Sequence, residues 1–320
     1  MRGFVTGLDG FVGQWLAREL LGAGIDLAGG SRVAHPSYSI LTEDEARSVA
    51  WFDFELHDQA TLEKAMTAWR PDVVYHLAAQ AFVGDSLANP LDTFETNVMG
   101  TARVLEAVKK TSPEAVVLYV GSADAYGPVD AADLPLRESA PLRPTNPYSA
   151  SKAAAEAIAV QYAHAGMLRT AATRSFNHAG PGQRAAFAVS GFAKQIADVA
   201  RGLQPPVLRV GNLDARRDYS DVRDVVRAYR LIAEREGAGG VYNVCSGRST
   251  SMRAIVDELI GIAGVRVSIE LDPARMRPSD TPDIVGDNAL LKAATGWEPS
   301  ISLSQTLRDV YAWHAQVPLG

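Results

Sequence analysis

The sequence predicts a doubly wound α/β fold, in which a parallel sheet is covered by helices on both faces and joined to a smaller C-terminal lobe. Three observations lead there. From residue 1 to about 180, short β-rich apolar runs alternate with longer segments of helical period, the pattern of βαβ units. A glycine-rich turn stands between the first run and the first helical segment. Beyond Arg174 the alternation loosens into turn-rich chain with scattered helices, which suits a small lobe better than a second sheet of the same kind.

In chain order, the β-branched and aromatic runs predict strands at Gly3–Thr6, Asp26–Gly29, Val49–Asp53, Val73–Leu77, Val116–Gly121 and Thr170–Arg174. Helical segments are expected to begin near Gly10, Gln59, Pro90 and Pro147. Asn177-His178-Ala179-Gly180-Pro181-Gly182 then reads as a loop leaving the sheet. It is followed by a strand at Val207–Val210, a helix from about Val222 to Arg235, a strand at Gly240–Val244, and helices near Ser251–Ala263 and Leu303–His314. Residues 1–175 are therefore expected to form the nucleotide-binding domain, with returning segments near 212–245 and 281–287. Most of 176–320 forms the lobe.

The chain has 320 residues, enough for a full core, and its 47% hydrophobic and 21% charged content is that of a folded protein. Lys and Arg number 31 against 37 Asp and Glu, a net charge of −6, so no general attraction for nucleic acid or an anionic membrane surface is expected. Cys245 is the only cysteine, which excludes an intrachain disulfide and a cysteine-rich zinc site. His76, His164 and His178 lack metal-site spacing. No leader pattern and no apolar stretch of membrane-spanning length is seen, so the expected location is the cytoplasm.

Thr6-Gly7-Leu8-Asp9-Gly10-Phe11-Val12-Gly13 follows the first strand and opens the first helix, the context in which glycines cradle a pyrophosphate. Gly7 permits the turn, Gly10 lets backbone amides approach the phosphates, and Gly13 lets helix and strand pack closely. Phe11 and Val12 lie in the same turn. The end of the second strand selects between the two nicotinamide dinucleotides, because an acid there binds ribose hydroxyls whereas a cation and a hydroxyl bind a 2′-phosphate. Here the chain runs Gly29-Gly30-Ser31-Arg32, with Asp26 too early, so Ser31 and Arg32 favour NADP(H).

Tyr148 and Lys152 form Y-x-x-x-K, which places both side chains on one face of a helix. A free phenol ionises near pH ~10, so a tyrosine that moves a proton at neutral pH is expected to use the ammonium of Lys152. Ser122 ends a strand, where its hydroxyl can hold the oxygen that Tyr148 protonates or deprotonates.

With these residues in place, the chain resembles the extended short-chain dehydrogenase/reductase family over essentially its whole length. The likeness runs through the glycine turn, Glu55-Leu56-His57-Asp58, His76-Leu77-Ala78-Ala79-Gln80, Asn97, Ser122 with Tyr126-Gly127, Pro147-Tyr148-Ser149-Ala150-Ser151-Lys152, and Arg174-Ser175-Phe176-Asn177. The resemblance implies a Rossmann-like domain, a catalytic set of Ser122, Tyr148 and Lys152, and a diphosphate contact from Asn177. It also implies cofactor contacts from Glu55, Leu56, Leu77, Ala78, Ala79, Gln80 and Asn97 together with Tyr148 and Lys152. The family's adenine-contacting acid is usually Asp where this chain has Glu55.

Phe176-Asn177-His178-Ala179-Gly180-Pro181-Gly182-Gln183, Phe192-Ala193-Lys194-Gln195-Ile196, Arg217-Asp218-Tyr219-Ser220-Asp221-Val222 and Arg277-Pro278-Ser279-Asp280 are similar to the GDP-sugar branch, which contains 4,6-dehydratases and 4-keto-6-deoxymannose reductases. Arg217 and Arg277 are planar donors suited to a diphosphate, and Lys194 adds a point charge. Dehydrating relatives carry Thr-x-Glu or Thr-Asp-Glu where this chain has Ser122-Ala123-Asp124. Ala123 can serve as neither acid nor base. Asp124 is a candidate catalytic carboxyl but one methylene short, and misplacement by 1 Å can cost roughly 100-fold. The expectation is thus NADPH-dependent reduction of a 4-keto group on a nucleotide-linked 6-deoxyhexose, which the resemblance to the GDP-sugar branch implies is GDP-4-keto-6-deoxy-D-mannose to GDP-D-rhamnose. The dehydratase, a nucleotide-sugar 4-epimerase and a non-enzymic NADP sensor stay open as alternatives. Relatives pair helices like Pro90–Lys110 and Ser149–His164, which implies a homodimer, with a tetramer left open.

Overall fold

The computed structural model describes residues 1–31, 39–235, 240–275 and 281–316. Its strands in the first half are β1 (Arg2–Thr6), β2 (Asp26–Ser31), β3 (Val49–Asp53), β4 (Val73–His76), β5 (Val116–Ser122) and β6 (Arg169–Ser175). The second half adds β7 (Asn177–Ala179), β8 (Val207–Val210), β9 (Arg216–Asp221), β10 (Val241–Val244), β11 (Ser249–Ser251), β12 (Ser268–Leu271) and β13 (Asp283–Ile284). Seven strands form one sheet in the order β10-β6-β5-β4-β1-β2-β3, and every neighbouring pair is parallel. The strand order reverses between β1 and β4, the switch point outside which such sheets bind ligands.

Two cores follow from the pleat. Phe4, Val74 and Val117 face one way, against Leu62, Met66, Val104, Val108 and Ala155 of the helices Gln59–Trp69, Gly100–Thr111 and Pro147–His164. Val5, Tyr75 and Leu118 face the other way, against Leu16, Leu20, Val226, Tyr229 and Ile232 of the helices Phe11–Gly22 and Val222–Arg235. Because both faces are covered, these strands are continuous apolar runs and do not alternate with polar residues.

The lobe has its own core. Val189, Phe192, Ile196, Ile255, Leu259, Leu307 and Val310 join helices Ala188–Ala200, Met252–Ala263 and Leu303–Gln316. Its small sheet has the order β11-β9-β13, with β7 also paired to β9, while β8 and β12 form a separate pair.

Differences from expectation have local causes. The second strand continues through Gly29 and Gly30 to Ser31, because a Cβ on Gly29 would lie 2.3 Å from Leu8 Cδ1 and one on Gly30 1.8 Å from Phe54 Cε1. These glycines leave room for packing and do not end the strand. The single helix expected from Pro90 is broken: Pro90–Phe94 runs into a π-turn, Glu95–Met99, before Gly100–Thr111. Such wide turns insert one extra residue and often mark functional positions. The charged strand β9 and the helix Ala188–Ala200 were not anticipated.

Candidate active site

The turns that follow β1, β4, β5 and β6 converge at the carboxyl edge of the sheet. After β1, Gly7 has φ +72° and an added Cβ would touch the Ala78 backbone at 3.0 Å. At Gly13 an added Cβ would lie 2.2 Å from the Gly7 carbonyl oxygen, so helix and turn are in van der Waals contact. Gly10 differs, since its Cβ would meet only that oxygen, at 3.2 Å. It caps the helix Phe11–Gly22, whose first amides, including those of Phe11 and Val12, have no partner within the helix. A cradle closed behind and open in front fits a dinucleotide pyrophosphate. The turn Leu77–Gln80, after β4, stands beside it: Leu77 and Ala78 amides donate to the Thr6 carbonyl oxygen at 3.3 Å and to Thr6 Oγ1 at 3.1 Å, and Ala79 is half-buried.

β2 delivers its end, Ser31, to the same edge, opposite Asp53 of β3. Arg32 lies outside the described residues. Glu55 is exposed, with its amide donating to Thr61 Oγ1 at 3.2 Å, while Leu56 is only 8% exposed and packs toward Gly100. Asn97, expected at the cofactor, is 2% exposed. Its Oδ1 accepts from the Gln80 amide at 2.7 Å, and its two amide hydrogens go to the Gln80 carbonyl at 3.0 Å and Ser151 Oγ at 2.9 Å. Its side chain therefore stands behind the Gln80 turn and is not on the cleft wall.

Pro147 opens the helix that carries Tyr148 and Lys152, and Asn146 caps it by accepting from the Ser149 amide at 2.9 Å. Ser122 ends β5, and its Oγ accepts from the Asp124 amide at 3.2 Å, which fixes the turn Ala123–Tyr126. Burial raises the Tyr148 pKa well above an ordinary phenol, the nearby Asp124 charge adds to this, and a hydrogen bond from Ser122 opposes it. Ser122, Asp124 and Tyr148 are thus one electrostatic group. Lys152 stands one helical turn from Tyr148, with its ammonium turned to the strand. Its ammonium donates to the Val120 carbonyl at 2.8 Å and lies 5.3 Å from the Tyr119 ring centre, and burial lowers its pKa to about 8. The strand carbonyl, in place of the phenol, is its partner.

Behind this group Arg174 is clamped to Glu156 by bonds of 2.9 and 2.7 Å, and it also donates to Tyr126 Oη at 3.0 Å and to the Glu138 carbonyl at 2.8 Å. Both ions are buried. This pair joins the tyrosine helix, β6 and the turn that bears Asp124. The pattern Arg174…Asn177 points to it only in hindsight, because a buried ion pair has no signature in a single sequence.

The expected sugar-nucleotide residues are spread along the lobe side. Asn177 sits on β7 opposite Tyr219. His178 Nδ1 bonds the Phe176 carbonyl at 3.0 Å, and its ring stacks on Phe11 at 6.4 Å, so the loop after β6 touches the glycine turn. Arg217, half-buried on β9, donates to the carbonyls of Arg216 and Thr281 at 2.7 and 2.8 Å. Next to it, buried Asp218 accepts from the Ser246, Gly247 and Gly286 amides at 2.8, 3.0 and 3.3 Å, which fastens the lobe to the end of β10. Lys194 is exposed and ion-paired with Asp198 at 2.6 Å. Arg277 lies outside the described residues. No group of His, Cys, Asp and Glu able to hold a metal occurs among the described residues.

A phosphate cradle, a half-buried tyrosine with a serine hydroxyl beside it, and a buried amine one helical turn on can together bind a dinucleotide and pass a proton to or from a carbonyl oxygen. Known proteins are similar to this chain along its length. A GDP-6-deoxy-D-mannose reductase of Pseudomonas aeruginosa is 37% identical over 315 residues, covering 98% of this chain and 97% of that one. The solved structure of RMD from Pseudomonas aeruginosa complexed with NADPH matches with a TM-score of 0.85 and 36% identity over 99% of both chains. That of a UDP-glucose 4-epimerase from Thermus thermophilus complexed with NAD matches with a TM-score of 0.86 and 30% identity over 99% of this chain and 100% of that one. A family model described as GDP-mannose 4,6 dehydratase matches residues 4–310, and the chain accordingly belongs to that family, within the extended short-chain dehydrogenases/reductases.

Proposed function

We propose that the chain is an NADPH-dependent ketoreductase that converts GDP-4-keto-6-deoxy-D-mannose into GDP-D-rhamnose. The observation that carries this reading is the turn Ser122-Ala123-Asp124. It holds one short carboxyl beside a protonated phenol, where a dehydratase needs a further acid and base for C5 and the 6-hydroxyl. The similarity to a GDP-6-deoxy-D-mannose reductase supports it.

Bound NADPH supplies the hydride. Gly7, Gly10, Phe11, Val12 and Gly13 would hold its pyrophosphate, Ser31 and Arg32 the 2′-phosphate, Glu55 and Leu56 the adenine side, and Leu77, Ala78, Ala79 and Gln80, backed by Asn97, the middle of the dinucleotide. Tyr148, kept protonated by burial, donates its proton to the C4 oxygen. Ser122 holds that oxygen and steadies its developing charge. The ammonium of Lys152 limits the cost of the phenolate left behind, which solvent reprotonates. Asn177, Arg217, Arg277 and, after giving up Asp198, Lys194 would hold the diphosphate. On this reading residues 1–175, with the returns near 212–245 and 281–287, form the cofactor half and most of 176–320 the substrate half.

Two further expectations are part of the proposal. Leu87 on the short helix Val83–Ala88, Leu91 and Phe94 on Pro90–Phe94 and Met99 in the π-turn are 64, 80, 37 and 46% exposed, apolar side chains near Pro147–His164 that a second copy would cover in a homodimer. No helix among the described residues is long and apolar enough to cross a membrane, and with a single buried cysteine we place the protein in the cytoplasm.

The test is to incubate purified protein with the 4-keto sugar nucleotide and either NADPH or NADH. NADPH consumption, a product two mass units heavier and a lower KM for NADPH are expected. Inertness in this assay together with loss of water from GDP-mannose would move the assignment to the lyase, which the charge of Asp124 beside Tyr148 favours.

A further inference from the structure

We propose that His76 is a positioning residue, which through a buried, one-directional chain of hydrogen bonds ties the dinucleotide-holding turns to the first turn of the helix bearing Tyr148. The inference rests on Tyr148 being the proton donor.

The direction of the chain follows from counting hydrogens. Thr101 Oγ1 donates its single hydrogen to the Asn97 carbonyl at 2.6 Å. Its contact with His76 Nε2, at 3.0 Å, can then be a bond only if Nε2 carries the hydrogen. His76 is 3% exposed, and burial, reinforced by the Lys152 charge, lowers its pKa to about 3, so the ring is neutral and Nδ1 is an acceptor. Thr6 Oγ1 lies 2.8 Å from Nδ1 and accepts from the Ala78 amide at 3.1 Å, so its own hydrogen points at the ring. The order is therefore Ala78 N–H to Thr6 O–H to His76 to Thr101 O–H to Asn97 C=O.

From Asn97 the chain continues through the side-chain amide. Gln80 fixes its orientation at both ends, and Nδ2 donates to Ser151 Oγ at 2.9 Å. Ser151 in turn donates to the Tyr148 carbonyl at 2.7 Å. Every hydroxyl hydrogen and ring nitrogen on the path has one partner in one direction, so a displacement at the Ala78 turn has no slack to absorb it. The π-turn Glu95–Met99 puts the Asn97 carbonyl and side chain on this path at once. Thr6 immediately precedes Gly7, and Ala78 and Gln80 belong to the turn beside the phosphate cradle. The groups that would hold the cofactor and the group that moves the proton are consequently set by the same buried imidazole.

The experiment cuts the chain without changing its bulk. Thr101→Val removes the hydroxyl, Thr101→Ser keeps it, and Ser151→Ala cuts the last link at a helical position that favours alanine. With NADPH and the 4-keto sugar nucleotide, T101V and S151A should each lower kcat by about tenfold or more while both KM values stay within about threefold, and T101S should keep kcat within about threefold of the parent. Should T101V fail to fold, S151A decides alone. A kcat within about twofold of the parent for S151A, or equal losses in T101V and T101S, overturns the proposal. Tyr148→Phe serves as the control: if it stays active, the assigned role of Tyr148 has failed, whereas its inactivity beside a normal S151A means that only the positioning chain has failed.

Discussion

The ammonium of Lys152 and the carbonyl of Val120 meet at 2.8 Å inside the sheet–helix contact, with the Tyr119 ring beside them. Burial lowers this lysine from 10.5 to about 8. Below pH 8 the ammonium is present, and as pH rises through 8 it is lost, so kcat should fall on the basic side with an apparent pKa near 8. Lys152→Met should abolish that limb and reduce kcat by about 100-fold or more at pH 7. The stability effect has the opposite sense. Between about 8 and 10.5 the folded chain binds fewer protons at this site than the unfolded chain, so Lys152 contributes increasing stability as pH rises across that window. A kcat profile flat to pH 9.5 would contradict the first statement.

Gly10 and Gly13 should separate binding from folding. A Cβ at position 13 meets backbone at 2.2 and 2.7 Å, which cannot give way, so Gly13→Ala should destabilise by about 1–3 kcal/mol and lower the melting temperature. At position 10 the nearest atom is 3.2 Å away, so Gly10→Ala should lower the melting temperature less than Gly13→Ala yet weaken NADPH binding, measured by fluorescence titration. Equal melting and equal affinity in both variants would show that the cradle is misplaced.

Arg174 and Glu156 are buried and doubly bonded, so removal of one partner leaves the other charged and unpaired. Glu156→Gln or Arg174→Met should cost about 3–5 kcal/mol in denaturant unfolding. The pair also spans the tyrosine helix and the turn beyond Ser122, so survivors should lose kcat more than affinity.

Asp124 discriminates between the two chemistries. Its charge helps to raise the Tyr148 pKa, so Asp124→Asn should lower that pKa. A ketoreductase needs no base at C5 and should keep its rate within about tenfold, whereas loss of a dehydratase carboxyl would cost roughly 100-fold or more. NADPH oxidation with the 4-keto sugar nucleotide, and water loss from GDP-mannose, measured for the variant and the parent, decide.

Much of the main domain was legible because its signals are local. Short β-rich runs mark β1 to β6, most plainly the apolar β1, β4 and β5, and Gly7, Gly10 and Gly13 mark the crossover into the first helix. Tyr148 and Lys152 were legible through helical spacing. The partner of Lys152 was not, since Val120 contributes a backbone carbonyl, which every residue has. The sequence showed only that His76 lacks metal-site spacing, because its role depends on Thr6 and Thr101, 70 and 25 residues away. The lobe was the least legible part. β9 is a charged run, Arg216-Arg217-Asp218-Tyr219-Ser220-Asp221, whose polar side chains are matched by tertiary partners such as Ser246 and Thr306 and by no periodic pattern.

In the proposed reaction the Tyr148 phenol gives its proton to a sugar oxygen. The most direct measurement compares Tyr148→Phe with the parent for NADPH binding and for single-turnover oxidation of NADPH by GDP-4-keto-6-deoxy-D-mannose. Unchanged NADPH affinity and a rate lower by about 100-fold or more are expected. A phenylalanine variant that oxidises NADPH at the parent rate would contradict it.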